Sequence, residues 1–495
     1  MGATVPRLLI AGLSGDSGKT LSSLSVITAL RRQGRSVAPF KKGPDFIDAA
    51  WLGEVAQNVC RNLDTFMVES AEVLSRFTRH ALGAEVAVVE GNRGLFDGMD
   101  DEGTHSSASL ARLLGTPVIL TVDTTKTTRT VAAMIKGCQQ FEPDLNIAGV
   151  ILNRVAGPRH EAVVRKAVET YCGIPVVGVF PKLGEAAEVI PGRHLGLVTP
   201  AEFGNRDRLH DILADLADKY LDLDRIWRIA QSAPELKESL TRTIDKKTEK
   251  VTIGYFADSV FTFYYPENLE ALVEHGARLL PLSSLETSEL PDEIDALYIG
   301  GGFPETQAER LTANRSLMKS VKNAAADGLP IYAECGGLIY LCRNLTVGDA
   351  TYAMAGVFDL DLTLSRRPVG HGYVQMEVTD ENPFLPRGLS FRGHEFHYSG
   401  PKDSLQQSTA LKVIRGVGLN RAVDGLRVDN VLACYTHLHA DGVPEWADGM
   451  VKAAVDYRSA RGTEKKASSD LRENNKHRRE RGDAKMVTEV GLAGA

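Results

Sequence analysis

The chain holds 495 residues, 43% apolar and 24% charged, with a formal net charge of −7. That balance argues against a nucleic-acid partner, and no apolar run approaches the ~20 residues a membrane helix needs. Met1–Pro6 lacks the charged and apolar regions of a secretory leader, so a cytoplasmic protein without a membrane partner is expected.

Length alone implies two to four domains, since single cores rarely grow beyond about 250–300 residues. The six cysteines, Cys60, Cys138, Cys172, Cys335, Cys342 and Cys434, lack Cys-x-x-Cys spacing, so neither a zinc site nor a disulfide framework is indicated.

Arg7–Thr20 reads as a buried strand entering a Gly-rich turn that ends in Gly18-Lys19-Thr20, followed by an amphipathic helix over Leu21–Gln33. In such a phosphate loop, here Gly12, Ser14, Gly15, Ser17 and Gly18, backbone N–H groups converge on phosphate oxygens. Lys19 adds a point charge and the Thr20 hydroxyl can reach Mg²⁺. Five residues separate Gly12 from Gly18 where the strict pattern has four.

A second strand, Ser36–Phe40, leads into Lys41–Asp48 at its carboxyl end, where ligands of open parallel sheets gather. Asp45 and Asp48 are therefore metal or substrate candidates, the alternative being a solvated Gly-Pro turn. A third strand, Glu85–Glu90, ends in a carboxylate suited to Mg²⁺, and Arg93 follows it among glycines.

Strands over Pro117–Asp123, Ile147–Leu152 and Val176–Val179 alternate with helices near Ser106–Leu114, Thr130–Phe141 and Arg159–Cys172, the order of a parallel α/β sheet. Asn153, at a strand end, is a candidate for an adenine edge, with a turn role as the alternative. From Phe203 to Lys250 the sequence becomes helical and charged and reads as a boundary.

A new α/β unit opens with the strand Val251–Tyr255 and the helix Glu267–Gly276. The strand Ala296–Ile299 then delivers Gly300-Gly301-Gly302, whose N–H groups could hold an oxyanion. Pro330–Leu338 is a strand, a sharp turn at Cys335 and a helix, the pattern of a nucleophile elbow with thiol in place of hydroxyl. The helix N-terminus is expected to lower the thiol pKa, and the Gly336 N–H to join the oxyanion hole. Downstream, His437 and His439 are both candidate bases. Residues from about Ser459 are polar and read as disordered.

Several longer segments carry a resemblance: Phe40–Asp48, Arg61–Asp64, Arg193–Leu197, Tyr264–Leu269, Tyr332–Gly337 and Gly393–Ser399. From about Pro6 to Tyr457 the chain resembles the cobyrinate a,c-diamide synthase family. The resemblance implies a dethiobiotin-synthetase-like P-loop domain over 1–204, a charged helical linker over 205–250 and a class I glutamine amidotransferase domain over 251–457. The tail would then be 458–495.

It further implies that ATP and Mg²⁺ activate the a and c acetate carboxylates of a tetrapyrrole, and that ammonia from L-glutamine displaces the phosphate. Asp45, Asp48 and Glu90 would surround metal and substrate, Cys335 would form the thioester, and alignment with related amidotransferases favours His437 over His439. A homodimer is left open.

Two features depart from the wider pattern. The Glu usual two residues after the histidine is absent, as it is in this branch of the family, and Glu90–Phe96 differs from the cobyrinate enzymes as expected. Arg93 could answer an extra substrate carboxylate there, which leaves siroheme or (Ni-)sirohydrochlorin as rival macrocycles. A partitioning-type nucleotide switch is the rival of another class, but Ser14 stands where those proteins carry an additional lysine.

Overall fold

The structure, a computed structural model, describes residues 4–183, 192–193, 196–236, 248 and 250–463. Seven parallel strands form the first sheet: β1 Arg7–Gly12, β2 Val37–Lys42, β3 Arg61–Leu63, β4 Val86–Gly94, β5 Val118–Asp123, β6 Ile147–Val155 and β7 Val176–Pro181. Their order is β3-β2-β4-β1-β5-β6-β7. Leu8 and Ile10 pack into the core on one face, Leu9 and Ala11 into the core on the other. Burial on both faces is why these strands read as unbroken apolar runs.

Helices α1 Lys19–Arg32, α2 Phe46–Ala56, α3 Ser70–Ala81, α4 Ser107–Leu114, α5 Thr130–Phe141, α6 Pro158–Cys172, α7 Arg206–Tyr220 and α8 Leu223–Gln231 cover the sheet. The expected α1 is present but not amphipathic. Every residue from Ser22 to Leu30 is buried, because α2 and α7 pack on the side turned away from the sheet.

The helices α7 and α8 occupy the stretch read as a charged linker, yet Leu209, Leu213, Ile226 and Ile229 enter the same core as Leu8 and Ile10. Residues 237–247 of that stretch, and His194 and Leu195, lie outside the described residues.

A second sheet of nine strands runs in the order Ala277–Leu282, Val251–Phe256, Ala296–Ile299, Ile331–Glu334, Val431–Cys434, Val423–Val428, Thr409–Arg415, Gly370–Val378 and Ser390–His397. The first five are mutually parallel. The last four continue antiparallel, an extension beyond the α/β unit read from the sequence.

A helix over 444–463 closes the fold, placing Trp446 and Met450 in the core. Residues 458–463, the start of the stretch expected to be disordered, continue that helix, where Arg461 donates to the Asp292 carbonyl at 2.7 Å. Residues 464–495 lie outside the described part. Among the described residues no helix is long and apolar enough to cross a membrane.

The two halves meet across a polar and aromatic seam. Arg61 bridges to Glu267 at 2.9 Å and Glu270 at 2.6 Å, Arg76 pairs with Asp441, and the Tyr373 hydroxyl donates to Asp64 at 2.8 Å. Phe46, the first residue of α2, stacks on Phe263 with ring centres 5.0 Å apart. The carboxyl ends of β2 and β4 thereby share one cavity with the turn that carries Cys335.

Candidate active site

The loop between β1 and α1 has the close approaches a phosphate cradle needs. A Cβ on Gly12 would lie 2.0 Å from Ser17 Oγ. Gly18 has φ +97 and would meet the Asn153 amide at 2.1 Å, so neither position accepts a side chain. Asn153 Nδ2 donates to the Ser17 carbonyl at 2.9 Å, and its Oδ1 accepts from Arg154 N at 2.9 Å. The residue considered for an adenine edge thus braces the loop from beneath. Lys19 Nζ folds back onto the Ser14 carbonyl at 3.0 Å, while Gly15 faces open space.

Beneath this loop lies a charge cluster whose centre, Lys41, the sequence reading left without a role. Lys41 Nζ contacts Glu90 Oε1 at 2.7 Å and Asp48 Oδ2 at 2.6 Å, and Glu90 is fully buried. Burial alone would lower the Lys41 ammonium, but Asp48 and Glu90 outweigh it and hold the group above its ordinary value. Removing Lys41 would leave the buried Glu90 and the half-buried Asp48 uncompensated, at a cost on the order of 3–5 kcal/mol.

Asp45 caps α2 by accepting from Asp48 N at 2.7 Å. Burial and the neighbouring Asp48 raise its carboxyl to about 7.

The Thr20 hydroxyl donates to Glu90 Oε1 at 3.0 Å, while Glu90 Oε2 is buried with no hydrogen-bond partner. That orphaned oxygen beside a phosphate loop fits a hard cation. Among the described residues no cage of three or more His, Cys, Asp or Glu side chains gathers. Mg²⁺ does not require one, because it keeps waters and takes phosphate oxygens alongside one or two carboxylates.

In the second half, Cys335 sits between the strand Ile331–Glu334 and the helix Gly336–Leu341 with φ 47 and ψ −98. A strained turn of this kind is where a nucleophile is presented. The helix crosses the sheet closely because position 337 is glycine: a Cβ there would lie 2.4 Å from the Ile299 carbonyl.

The expectation of a lowered thiol pKa is not met. Burial pushes Cys335 up, Glu305 adds to the effect, and the Gly336 N–H opposes it too weakly. The thiol is therefore neutral until a base removes its proton.

His437 lines the shared cavity, whereas His439 does not. Mutual backbone bonds to His394, 2.8 and 3.1 Å long, pin His437 in place, and its Nδ1 lies 3.3 Å from Glu334 Oε2. Glu334, which the sequence reading passed over, accepts from the Tyr332 and Tyr298 hydroxyls at 3.2 and 3.3 Å, so its position is fixed from three sides. It supplies the carboxylate that the missing downstream Glu would have provided.

His439, offered as an alternative base, is instead part of the seam. Its Nε2 lies 3.6 Å from Glu267 and its ring packs on Tyr265 at 4.9 Å.

Of the glycine triplet, Gly301 donates its N–H to the Phe263 carbonyl at 3.2 Å, so it is unavailable to an oxyanion. Its lack of a side chain still matters, because a Cβ would lie 2.4 Å from the His437 ring. Gly302 sits at φ +158, where a Cβ would strike the Val260 carbonyl at 1.8 Å. Among the described residues its N–H has no acceptor, and it lies 2.9 Å from the Cβ position of Gly336. Gly302 and Gly336 are thus the oxyanion pair the geometry offers.

A phosphate loop, and a cysteine elbow sharing a cavity with the carboxylates that follow the second strand, define a nucleotide-binding amidating ligase that draws nitrogen from glutamine. Comparison with known proteins agrees. Residues 8–193 match the CobQ/CobB/MinD/ParA nucleotide binding domain, and residues 252–444 the CobB/CobQ-like glutamine amidotransferase domain.

The chain is 41% identical to the cobyrinate a,c-diamide synthase of Magnetococcus marinus, over 90% of this chain and 97% of that protein. It is 39% identical to that of Archaeoglobus fulgidus over 91% and 98%, and 38% identical to that of Listeria innocua over 88% and 96%. The chain belongs to the cobyrinate a,c-diamide synthase family.

Proposed function

We propose that the chain converts cobyrinate to cobyrinate a,c-diamide, using ATP and glutamine at two sites that open onto one space. The observation that carries this reading is the cavity of about 730 Å³ lined at once by Asp45, Asp48, Cys335 and His437. A nitrogen released at the thiol is therefore freed into the same space that the carboxylates after the second strand line.

In the glutaminase half, Nδ1–H of His437 donates to Glu334, which leaves Nε2 as the proton acceptor. Nε2 takes the Cys335 proton, sulfur attacks the glutamine amide carbon, and the Gly302 and Gly336 N–H groups hold the oxyanion. His437 then returns the proton to the departing ammonia, and water hydrolyses the thioester to glutamate.

In the synthetase half, the loop residues Gly12–Thr20 cradle the nucleotide phosphates and Lys19 swings from the Ser14 carbonyl to the γ-phosphate. A substrate carboxylate oxygen bonds to the γ-phosphorus as ADP leaves, ammonia attacks the acyl carbon, and inorganic phosphate departs. Thr20, Glu90 and Asp45 would hold Mg²⁺, which when bound spreads the charge of the phosphoryl group. Lys41 pairs with Glu90 and Asp48 and holds both carboxylates in place throughout.

Mass spectrometry of cobyrinate, hydrogenobyrinate, sirohydrochlorin and siroheme after incubation with enzyme, ATP, Mg²⁺ and glutamine tests the reading. Two acid-to-amide conversions on cobyrinate are expected. Conversion of sirohydrochlorin or siroheme alone would overturn the corrin assignment and turn attention to Arg93.

A further inference from the structure

The shared cavity carries cationic side chains that neither reaction uses. Lys42, at the end of β2, and Arg93, in the last turn of β4, come from the first half. His371 and Arg415, on the strands Gly370–Val378 and Thr409–Arg415, come from the second. None of the four side chains makes a hydrogen bond or ion pair among the described residues. Arg93 also holds a left-handed backbone, φ 49, which a non-glycine residue adopts at a cost that functional sites tolerate.

The four cations line one cavity, where Asp64 beside Lys42 and Glu395 beside His371 offset burial only in part. Burial lowers the Lys42 ammonium, and Lys41 and Arg93 push the same way against Asp64. Burial and Arg93 likewise lower His371, although Arg93 and His371 belong to different halves. Carboxylates on the same walls are already engaged: Asp48 pairs with Lys41, Asp97 accepts from Gly94 N at 2.8 Å, and Glu395 accepts from Val417 N and Gly418 N at 2.7 and 2.8 Å. A neutral ligand would leave this repulsion in place, whereas a ligand with several spaced carboxylates would relieve it.

We propose that Lys42, Arg93, His371 and Arg415 form a clamp across the seam that grips those carboxylates of the tetrapyrrole that do not react. The proposal rests on the amidation reading above. It explains how a macrocycle bearing many similar acids is held so that only particular ones reach Asp45 and Asp48. It also makes the substrate a bridge between the halves.

The test uses the full-length enzyme with Arg93→Gln, Arg415→Gln and Arg93→Lys. Each Gln variant should raise the KM for cobyrinate about tenfold, the loss expected of a charge-assisted hydrogen bond, with the KM for ATP and for glutamine moving less than twofold. Arg93→Lys, which keeps the charge, should recover part of the loss.

Dissociation constants of cobyrinate and of its a,c-diamide should weaken in parallel, because the clamp holds carboxylates that amidation leaves unchanged. Unchanged KM in both Gln variants, or a weakening confined to the unamidated substrate, would overturn the clamp. If the wild type converts sirohydrochlorin and not cobyrinate, the corrin reading fails while the same titrations on sirohydrochlorin still decide the clamp.

Discussion

The two reactive centres that flank the cavity are prepared in opposite ways. The phosphate loop stands over charges already paired: Lys41 lies between Glu90 and Asp48, and Lys19 rests on a loop carbonyl. The elbow keeps its nucleophile uncharged, with Cys335 buried and its thiol pushed up, beside a histidine oriented by Glu334.

A phosphoryl-transfer site gains from charges that need not reorganise when ATP arrives, which holds for the Lys41 cluster, while Lys19 alone has to leave its carbonyl. A thiolate waiting in an open cavity would be exposed to oxidation and futile hydrolysis, so keeping it protonated until glutamine displaces water confines its reactivity to the loaded state. The difference teaches that the shared cavity does not impose one electrostatic regime. Each wall sets its own.

The widest separation of the two walls comes from removing their reacting groups. Cys335→Ser should abolish glutamine-dependent amidation by more than about 10³-fold while ammonium still supports it. Lys19→Ala should depress amidation about 10²–10³-fold with either nitrogen source. Diamide formation measured with glutamine and with ammonium checks both, and loss of ammonium-dependent synthesis in Cys335→Ser would dissolve the comparison.

A smaller effect sharpens the elbow alone. Glu334→Gln should lower the glutaminase kcat about 10²–10³-fold with little change in glutamine KM, because the histidine loses the partner that fixes its tautomer. Steady-state kinetics of glutamate release should place the loss in kcat, with Glu334→Asp recovering part of it, and an unmoved kcat would remove Glu334 from the relay.

Glu334 also marks what the sequence can and cannot convey. The alternation of strands and helices, the Gly-rich loop and the Cys335 turn were all legible, because each is written in a short contiguous pattern. Glu334 stands next to Cys335 in the chain, yet only the return of the strand Val431–Cys434 beside Ile331–Glu334 brings His437 to it. Lys41 looked like a turn residue for the same reason, since its two acids arrive from 7 and 49 residues away.

The antiparallel half of the second sheet depends on pairings between distant strands, and 439 is separated from 437 by the distant partner each meets, Glu267 for one and Glu334 for the other, rather than by any local signal. The helix α3 went unread although it was legible, since Val73, Phe77 and Ala81 recur at helical spacing and are buried.

Two predictions probe the seam that joins the walls. Phe46 sits next to Asp45 on one side, and its ring meets His437 edge-on at 5.2 Å and His394 at 5.5 Å on the other. Phe46→Ala should loosen that contact and let ammonia escape, raising the glutamate released per amide formed from near one to about two or more. Parallel assays of glutamate and diamide read the ratio directly, and a ratio that stays at one would place the seal elsewhere.

The smallest effect concerns His439. Burial would lower its imidazolium, but Glu267 outweighs burial and raises it above the ordinary 6.5. Burial would raise Glu267, but His439 and Arg61 hold it at about 2. A raised histidine stabilises fully below 6.5 and loses its contribution as pH rises through the folded value. A depressed carboxyl stabilises above its ordinary 4.5 and loses its contribution as pH falls toward 2.

The seam is therefore firmest between those limits, and the melting temperature should fall by a few degrees as pH rises from 6.5 to 9. His439→Gln should flatten that alkaline slope while amidation at pH 7 changes far less than in Glu334→Gln. If the slope survives the substitution, the alkaline loss originates outside this pair. If amidation falls as steeply as it does for Glu334, then His439 acts at the elbow and the division between seam and relay is wrong.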